Sequence, residues 1–268
     1  MTATPRVLLL AGFLAVAAGA GGCQASSTPP QASSQPTSSQ PTSARPAVPD
    51  SASPAGQHPA PVDGCFTPAR GTIETVPDTG AGRLTLAVIG TGPRVVVLSN
   101  QSDEDLCSWL PFSRRLATAG YRVVLWDYGP DSPADELTGL VKRLRSTGAA
   151  RLVLMGASEG AKASLVAAAR TAPMVQGVVS LSAEFVLTPG IVVADFVKRL
   201  HCPLLVVTAD QDPYDAAAAA QQYIATAPAR VKQLVTVPGT DHGTDLLSGR
   251  SGAKTIPAIV AFLGHVLD

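Results

Sequence analysis

From Gly71 onward, short apolar runs alternate with segments whose apolar residues recur every three to four positions. The runs Gly71–Val76, Arg83–Ile89, Arg94–Leu98, Tyr121–Trp126, Leu152–Met155, Gln176–Leu181, Pro203–Thr208 and Lys232–Val237 are rich in Val, Ile and Leu and predict about eight strands. The helical spacing falls between them. It covers Leu106–Ala119, Ser132–Thr147, the stretch that follows Ser158 to Ala169, Val192–Leu200, Asp215–Ala227 and Lys254–Leu267. Gly120 and Gly148 stand where helices end, and Ser132-Pro133 supplies a cap and a proline in the first turn. Strands alternating with helices of 10–15 residues predict an α/β domain, a mostly parallel doubly wound sheet with helices on both faces. The first two runs flank a Pro-Asp-Thr-Gly-Ala-Gly turn and add an antiparallel hairpin at one edge. Ligands bind such sheets outside the C-terminal strand ends, so the loops after each strand are where function is sought.

The N-terminal quarter follows another pattern. Arg6 precedes VLLLAGFLAVAAGA, an apolar core of 14 residues, then Gly21-Gly22-Cys23. A basic start, a short apolar core and small residues are the parts of an export signal over residues 1–22, and the core is shorter than the roughly 20 residues a membrane-spanning helix needs. Residues 24 to 63 are nearly all Ser, Thr, Pro, Gln and Ala, with Arg45, Asp50 and Asp63 as the charges and no aromatic residue. Such a segment buries too little apolar surface to offset its ordering entropy, and is expected to be a disordered spacer spanning roughly 35 Å root-mean-square. The folded domain is expected over residues 64–268, one domain's length of chain. Lys and Arg total 20, as do Asp and Glu, so no net field favours nucleic acid. The sequence contains no C-x-x-C or H-x-x-x-H, the usual spacing of zinc ligands. No metal or other cofactor is expected.

The chemistry centres on Leu152-Val153-Leu154-Met155 followed by Gly156-Ala157-Ser158-Glu159-Gly160 and a helix. Strand, glycine turn with a central serine, then helix is the context that G-x-S-x-G requires. It lifts a hydroxyl to a helix N-terminus whose N–H groups favour negative charge. A serine needs a base. Among the four histidines, His58 is in the spacer, His201 precedes a strand, and His265 lies in the last helix. His242, in Pro238-Gly239-Thr240-Asp241-His242-Gly243, follows the last strand and sits at the correct end of the sheet. A carboxylate must orient that base, and Asp210 or Asp212, after the seventh strand, is in place to do so. Glu159 and Asp241 read as a helix-start and a turn residue. Glu184 and Phe185 either line the cleft or cap the sixth strand. Of the four cysteines, Cys65 at the start of the domain is expected in a disulfide with Cys107 or Cys202.

With the elbow Gly156–Gly160, Asp212-Pro213 and the Pro-Gly-x-x-His-Gly turn in view, residues 71–268 resemble an α/β-hydrolase. The resemblance implies Ser158 as nucleophile, Asp212 rather than Asp210 as the acid, and His242 as base. It also implies an oxyanion hole in which Glu159 supplies one backbone N–H and Gln101 or Asn100 the second. Where that family usually has His-Gly, this chain has Ser99-Asn100. The side chains of Asn100 and Gln101 are further candidate donors. Only about 20 residues separate the sixth and seventh strands, where the family usually inserts a lid, so little or no cap is expected. The N-terminus in turn resembles a bacterial lipoprotein signal, with Cys23 lipidated at the outer face of the membrane; plain secretion is the alternative. Together these imply an ester hydrolase of small or soluble acyl substrates. A peptidase or amidase of the same fold, and a non-catalytic envelope module, are the alternatives.

Overall fold

Val95 to Leu98 show why this chain makes a sheet buried on both sides. In a strand, alternate side chains point to opposite faces. Val95 and Val97 enter one apolar cluster and Val96 and Leu98 the other, all fully buried. Continuous apolar runs, rather than alternating ones, are what a doubly covered parallel sheet demands. Burying each such side chain contributes about 1.5–3 kcal/mol.

The computed structural model describes residues 62–77, 80 and 82–268. The export signal, Cys23 and the spacer up to residue 61 lie outside the described residues. The strands are β1 (Thr72–Pro77), β2 (Arg83–Ile89), β3 (Arg94–Ser99), β4 (Arg122–Trp126), β5 (Arg151–Ala157), β6 (Gly177–Leu181), β7 (Val186–Thr188), β8 (Ile191–Val192), β9 (Leu204–Ala209) and β10 (Lys232–Val237). All but β7 and β8 join one sheet, in the order β1-β2-β4-β3-β5-β6-β9-β10. β1 and β2 form the expected antiparallel hairpin, with Thr72 opposite Val88 and Pro77 opposite Arg83, and β2 is also antiparallel to β4. Every remaining pair in that sheet is parallel. The doubly wound α/β class read from the sequence is the observed one.

Two helices cover one face: α1 (Leu110–Thr118), through Phe112 and Leu116, and α6 (Gly249–Leu267), through Ile259, Phe262 and Leu263. The other face carries α2 (Pro133–Ser146), α3 (Glu159–Arg170), α4 (Val193–Val197) and α5 (Ala216–Thr226). Glu136 of α2 is fully buried and accepts hydrogen bonds from the Gly129 and Asp131 N–H groups, at 2.9 and 3.0 Å. It thereby fixes the loop that leaves β4.

Three elements differ from the sequence expectation. The helix expected over Leu106–Ala119 opens as a 3-10 turn at Leu106–Trp109, and α1 starts only at Leu110. The Asp105 carboxylate accepts from the Cys107 N–H at 2.8 Å and caps that turn, while Pro111 suits the first turn of the helix that follows. The helix expected over Val192–Leu200 shrinks to α4, because the residues before it form a small hairpin of β7 with β8, turned at Pro189-Gly190. This hairpin and α4 are all that stands between β6 and β9 as a cap. Finally, α6 begins at Gly249, five residues before the expected Lys254. Gly249 and Gly252 fall at this early end of the helix, and Gly249 lies in the first turn, where N–H groups have no helical partner and poor propensity costs least. Among the described residues no helix is long and apolar enough to cross a membrane.

Cys65 pairs with Cys107, with Cα atoms 5.9 Å apart, and Cys202 is free and buried. The bond pins the start of the domain to the turn after β3. Val62 and Phe66 pair across the same bend, and the Leu106 N–H donates to the Asp63 carboxylate at 3.2 Å. Beside it, burial raises the pKa of Asp127 to about 7, and the neighbouring Asp63 and Asp105 carboxylates push in the same direction.

Two outcomes are expected. Closing a loop of 42 residues removes chain entropy worth about 4 kcal/mol from the unfolded state, so Cys107→Ser should lower the unfolding free energy by about 2–4 kcal/mol in urea titrations. Asp127 has a folded-state pKa above its unfolded value, so the native state holds the extra proton between about pH 4 and 7 and stability falls as pH rises through that window. Asp127→Asn should therefore melt higher than wild type at about pH 8, with the gap narrowing as pH falls and closing near pH 4. Parallel melting curves across pH would exclude this coupling.

Candidate functional site

Ser158 lies between β5 and α3 with φ 46° and ψ −110°, a conformation costly for a residue with a Cβ. Strain of this kind costs on the order of 1–3 kcal/mol and is held by surrounding structure. Here the restraints can be named. The Ser158 N–H donates to the Leu181 carbonyl at 2.8 Å, and its own carbonyl accepts from the Lys162 N–H at 3.0 Å. A Cβ on Gly156 would lie 2.1 Å from the Gly160 carbonyl oxygen, and one on Gly160 would lie 2.2 Å from the Ser99 oxygen. Both glycines are therefore required by contact, and the elbow packs directly on the end of β3.

His242 sits in the loop after β10 in an extended conformation. Its Nδ1 is 2.9 Å from Asp212 Oδ2 and 3.1 Å from Oδ1. Since a carboxylate only accepts, Nδ1 carries a proton, and in the neutral ring the lone pair is then on Nε2. The Asp212 side chain is completely buried. Burial works to raise its pKa, but hydrogen bonds from His242 and the Tyr214 N–H outweigh it, and the net pKa is lowered. Asp210 is engaged elsewhere, since its carboxylate accepts from the Gly239 N–H at 2.9 Å and shapes the turn before His242. The structure thus places Asp212, and not Asp210, against His242. Asp241 accepts from the Ser251 hydroxyl at 2.6 Å and joins that turn to α6. The Tyr214 ring stacks obliquely on His242, with centroids 4.6 Å apart. His201 and His265 are exposed at other places on the fold, and His58 lies outside the described residues.

Ser158 and His242 line one small cavity, of about 260 Å³, with Ser102, Asp103, Lys162, Glu184 and Tyr214. They do not bond to one another. The Ser158 hydroxyl donates to Glu184 Oε1 at 2.7 Å, and that same oxygen is 3.5 Å from His242 Nε2. Lys162 Nζ holds the other oxygen of Glu184 at 2.6 Å. Sequence reasoning missed Lys162 and left Glu184 open between lining the cleft and capping a strand; both belong to the site. Lys162 had a signal, because it lies four residues after Ser158 and so on the same face of α3. Glu184, three residues past the end of β6, had only its position.

The candidate oxyanion donors divide by atom. The Glu159 N–H opens α3, and neither it nor the Gln101 N–H donates to a protein acceptor among the described residues. The contact of Gly160 with the Ser99 and Asn100 carbonyls sets these two segments side by side. The side chains, by contrast, are committed elsewhere. Asn100 Nδ2 donates to the Trp126 carbonyl at 3.4 Å and Gln101 Nε2 to Asp103 at 3.0 Å, while Gln101 Oε1 accepts from the Thr244 N–H at 3.0 Å. One amide N–H of each side chain is thus spent on the loop itself, which uses both residues as struts. As for metals, Asp63, Asp105 and the Cys107 sulfur approach one another, but that sulfur is tied up in the disulfide. Among the described residues no other such group of three occurs.

No known family's sequence profile matches this chain, and no curated protein is similar to it in sequence. Solved structures are similar in fold. An esterase from Pyrococcus furiosus superposes with a TM-score of 0.66 at 13% identity, covering 79% of this chain and 97% of its own. An enol-lactonase from Burkholderia xenovorans gives 0.61 at 16%, covering 71% and 100%. A dienelactone hydrolase from Anabaena variabilis gives 0.58 at 22%, covering 74% and 98%. The fold is that of the α/β-hydrolases. In this fold the strand order, the elbow after β5 and the loops after β9 and β10 bring the three sequence-predicted side chains to one end of the sheet.

The close contact at Gly160 makes a sharp prediction. Gly160→Ala must force the elbow off β3, since the added methyl would meet carbonyl oxygens at 2.2 and 2.5 Å. Overpacking of backbone against backbone should cost at least about 3 kcal/mol, read as a lowered urea midpoint. Gly80→Ala, at an exposed position where the methyl would meet only the Asp131 side chain, should cost less.

Proposed function

We propose that this chain is a serine hydrolase that cleaves ester bonds of small or soluble acyl substrates. Ser158 on its strained elbow, in one cavity with a His242 that is aligned by a buried Asp212, is the observation that carries this reading. The esterase and lactonase names of the structural neighbours are consistent with it.

In the proposed reaction, the Ser158 hydroxyl turns from Glu184 to His242 Nε2, which takes its proton as Oγ attacks the ester carbonyl. The backbone N–H groups of Glu159 and Gln101 receive the oxyanion, each such donor being worth about 3–4 kcal/mol. The imidazolium is stabilised by Asp212 and returns the proton to the leaving alkoxide. Water then enters, His242 removes its proton, and the acyl-enzyme is hydrolysed with Ser158 regenerated. The small hairpin and α4 leave the site without a large cap, which suits short acyl groups over long lipid chains. No metal or other cofactor takes part in this scheme. We further propose that residues 1–22 direct export and that Cys23 carries the lipid that tethers the domain to the membrane, the spacer holding it clear of the surface.

A second reading, that of a non-catalytic module, takes its support from the Ser158–Glu184 hydrogen bond, which leaves the hydroxyl unpaired with His242. A fluorophosphonate probe separates the two. Wild type should be labelled, Ser158→Ala should not, and His242→Ala should label far more slowly. On a short-chain ester, Asp212→Asn should lower kcat by roughly 10⁴ by releasing His242 from its required tautomer. Unlabelled wild type would favour the module, and labelling that survives Ser158→Ala would remove Ser158 from the nucleophile's role.

A further inference from the structure

Glu184 is the feature of the site that the acyl-transfer scheme does not use. It is firmly placed. Its backbone carbonyl accepts from the Tyr223 hydroxyl of α5, and the next carbonyl, of Phe185, accepts from the Val193 N–H at 2.9 Å. Its carboxylate is clamped on one side by Lys162 and reaches the Ser158 hydroxyl on the other. When Ser158 turns to His242, Oε1 loses its donor. A largely buried carboxylate oxygen then stands beside the reacting carbonyl, whose own oxygen is gaining negative charge. An unsatisfied acceptor in such a place is costly, and like charges brought together in a cavity repel strongly. Something on the substrate has to offset both.

The surroundings say which sign that something carries. The cavity is lined by the carboxylates of Asp103 and Glu184 against the single ammonium of Lys162. Beyond them Glu104 accepts from the Thr244 hydroxyl at 2.7 Å, and the Asp245 carboxyl feels Glu104, Asp241 and Asp103 together. An anionic substrate would have to take Lys162 from Glu184 and then sit among these acids. A protonated nitrogen would instead take over the Ser158 hydroxyl's bond to Oε1, next to the scissile carbonyl. We propose that Glu184 is a substrate-recognition residue and that the preferred substrates are small esters bearing an ammonium group close to the ester carbonyl. This deepens the serine-hydrolase reading and rests on it.

The test compares ethyl glycinate with ethyl propionate, which puts a methyl where the ammonium stands, and with monoethyl malonate, which carries a carboxylate. Assays run near pH 6.5, below the roughly 7.7–8.0 at which an α-amino group titrates, and each kcat/KM is divided by the ester's own hydrolysis rate in buffer. A charge-assisted bond to Glu184 should favour the ammonium ester over its methyl counterpart by about tenfold or more, with the malonate slowest. Glu184→Gln should bring that ratio near one. Lys162→Met, which removes the competing cation, should raise it, and both variants should first be shown to melt cooperatively. A wild-type ratio of one or below, in protein that the fluorophosphonate labels at Ser158, would overturn the recognition role alone, as would a ratio unchanged in Glu184→Gln. Absence of both labelling and turnover would take the hydrolase reading down with it.

Discussion

The contact between the Gly160 Cα and the carbonyl oxygens of Ser99 and Asn100 is the constraint on which the site depends. It allows α3 to start against the end of β3, with no side chain between them. The same close approach accompanies the left-handed backbone of Ser158, two residues before Gly160. Strain at one residue is tolerated because the neighbouring strands are fully buried on both faces and cannot relax toward the elbow. The Ser158 N–H bond to Leu181 and the Ser182 N–H bond to Val207, at 2.9 Å, tie the ends of β5, β6 and β9 into one rigid rim.

The loops after that rim are rigid for reasons of their own. Asp210, Gly239 and Gln211 cross-link the loops after β9 and β10, through the Gly239 N–H to Asp210 and the Gln211 N–H to the Gly239 carbonyl. Asp212 and His242 therefore approach each other from two loops that already share a turn. On the opposite side, Gln101 Oε1 accepts from the Thr244 N–H, so the loop after β3 and the loop carrying His242 are also joined. Ser99-Asn100-Gln101 serves as a bracket: Ser99 accepts from the Trp126 indole at 3.0 Å, Asn100 and Tyr128 bond across the same gap, and Gln101 spans to Thr244.

Much of this was legible in the chain. Buried strands announce themselves as continuous Val-Leu runs, and G-x-S-x-G has meaning once a strand precedes it and a helix follows. Elimination among the histidines was possible because His201 and His265 fall away from the C-terminal strand ends and His58 lies in the low-complexity segment before the domain. What was not legible depends on pairings between distant segments. Cys107 and Cys202 are equal by spacing, but one follows β3 beside the start of the domain and the other precedes β9 as a buried thiol, its pKa pushed up to about 12 by burial. Only the strand order distinguishes them. The hairpin after β6 was hidden by its brevity, and the start of α6 by glycines that usually end helices.

Glu184 was the least legible of all, and it changes how the site must be viewed. A serine beside a free imidazole needs nothing but a substrate, whereas here the hydroxyl already has a strong acceptor at 2.7 Å, while His242 Nε2 waits 3.5 Å from the same oxygen. Bonds to charged acceptors contribute about 1.5–3 kcal/mol, so turning Ser158 toward His242 carries that cost unless a substrate group replaces the hydroxyl on Glu184. Lys162 moderates the cost without removing it, since it neutralises the carboxylate from the far side and leaves Oε1 facing the cavity. In the proposed reaction, a substrate that brings its own donor restores the bond as Ser158 turns away, and one without it leaves the acceptor bare during the chemical step. Discrimination of that kind appears in kcat as well as in KM, because the donor is missing only after Ser158 has moved.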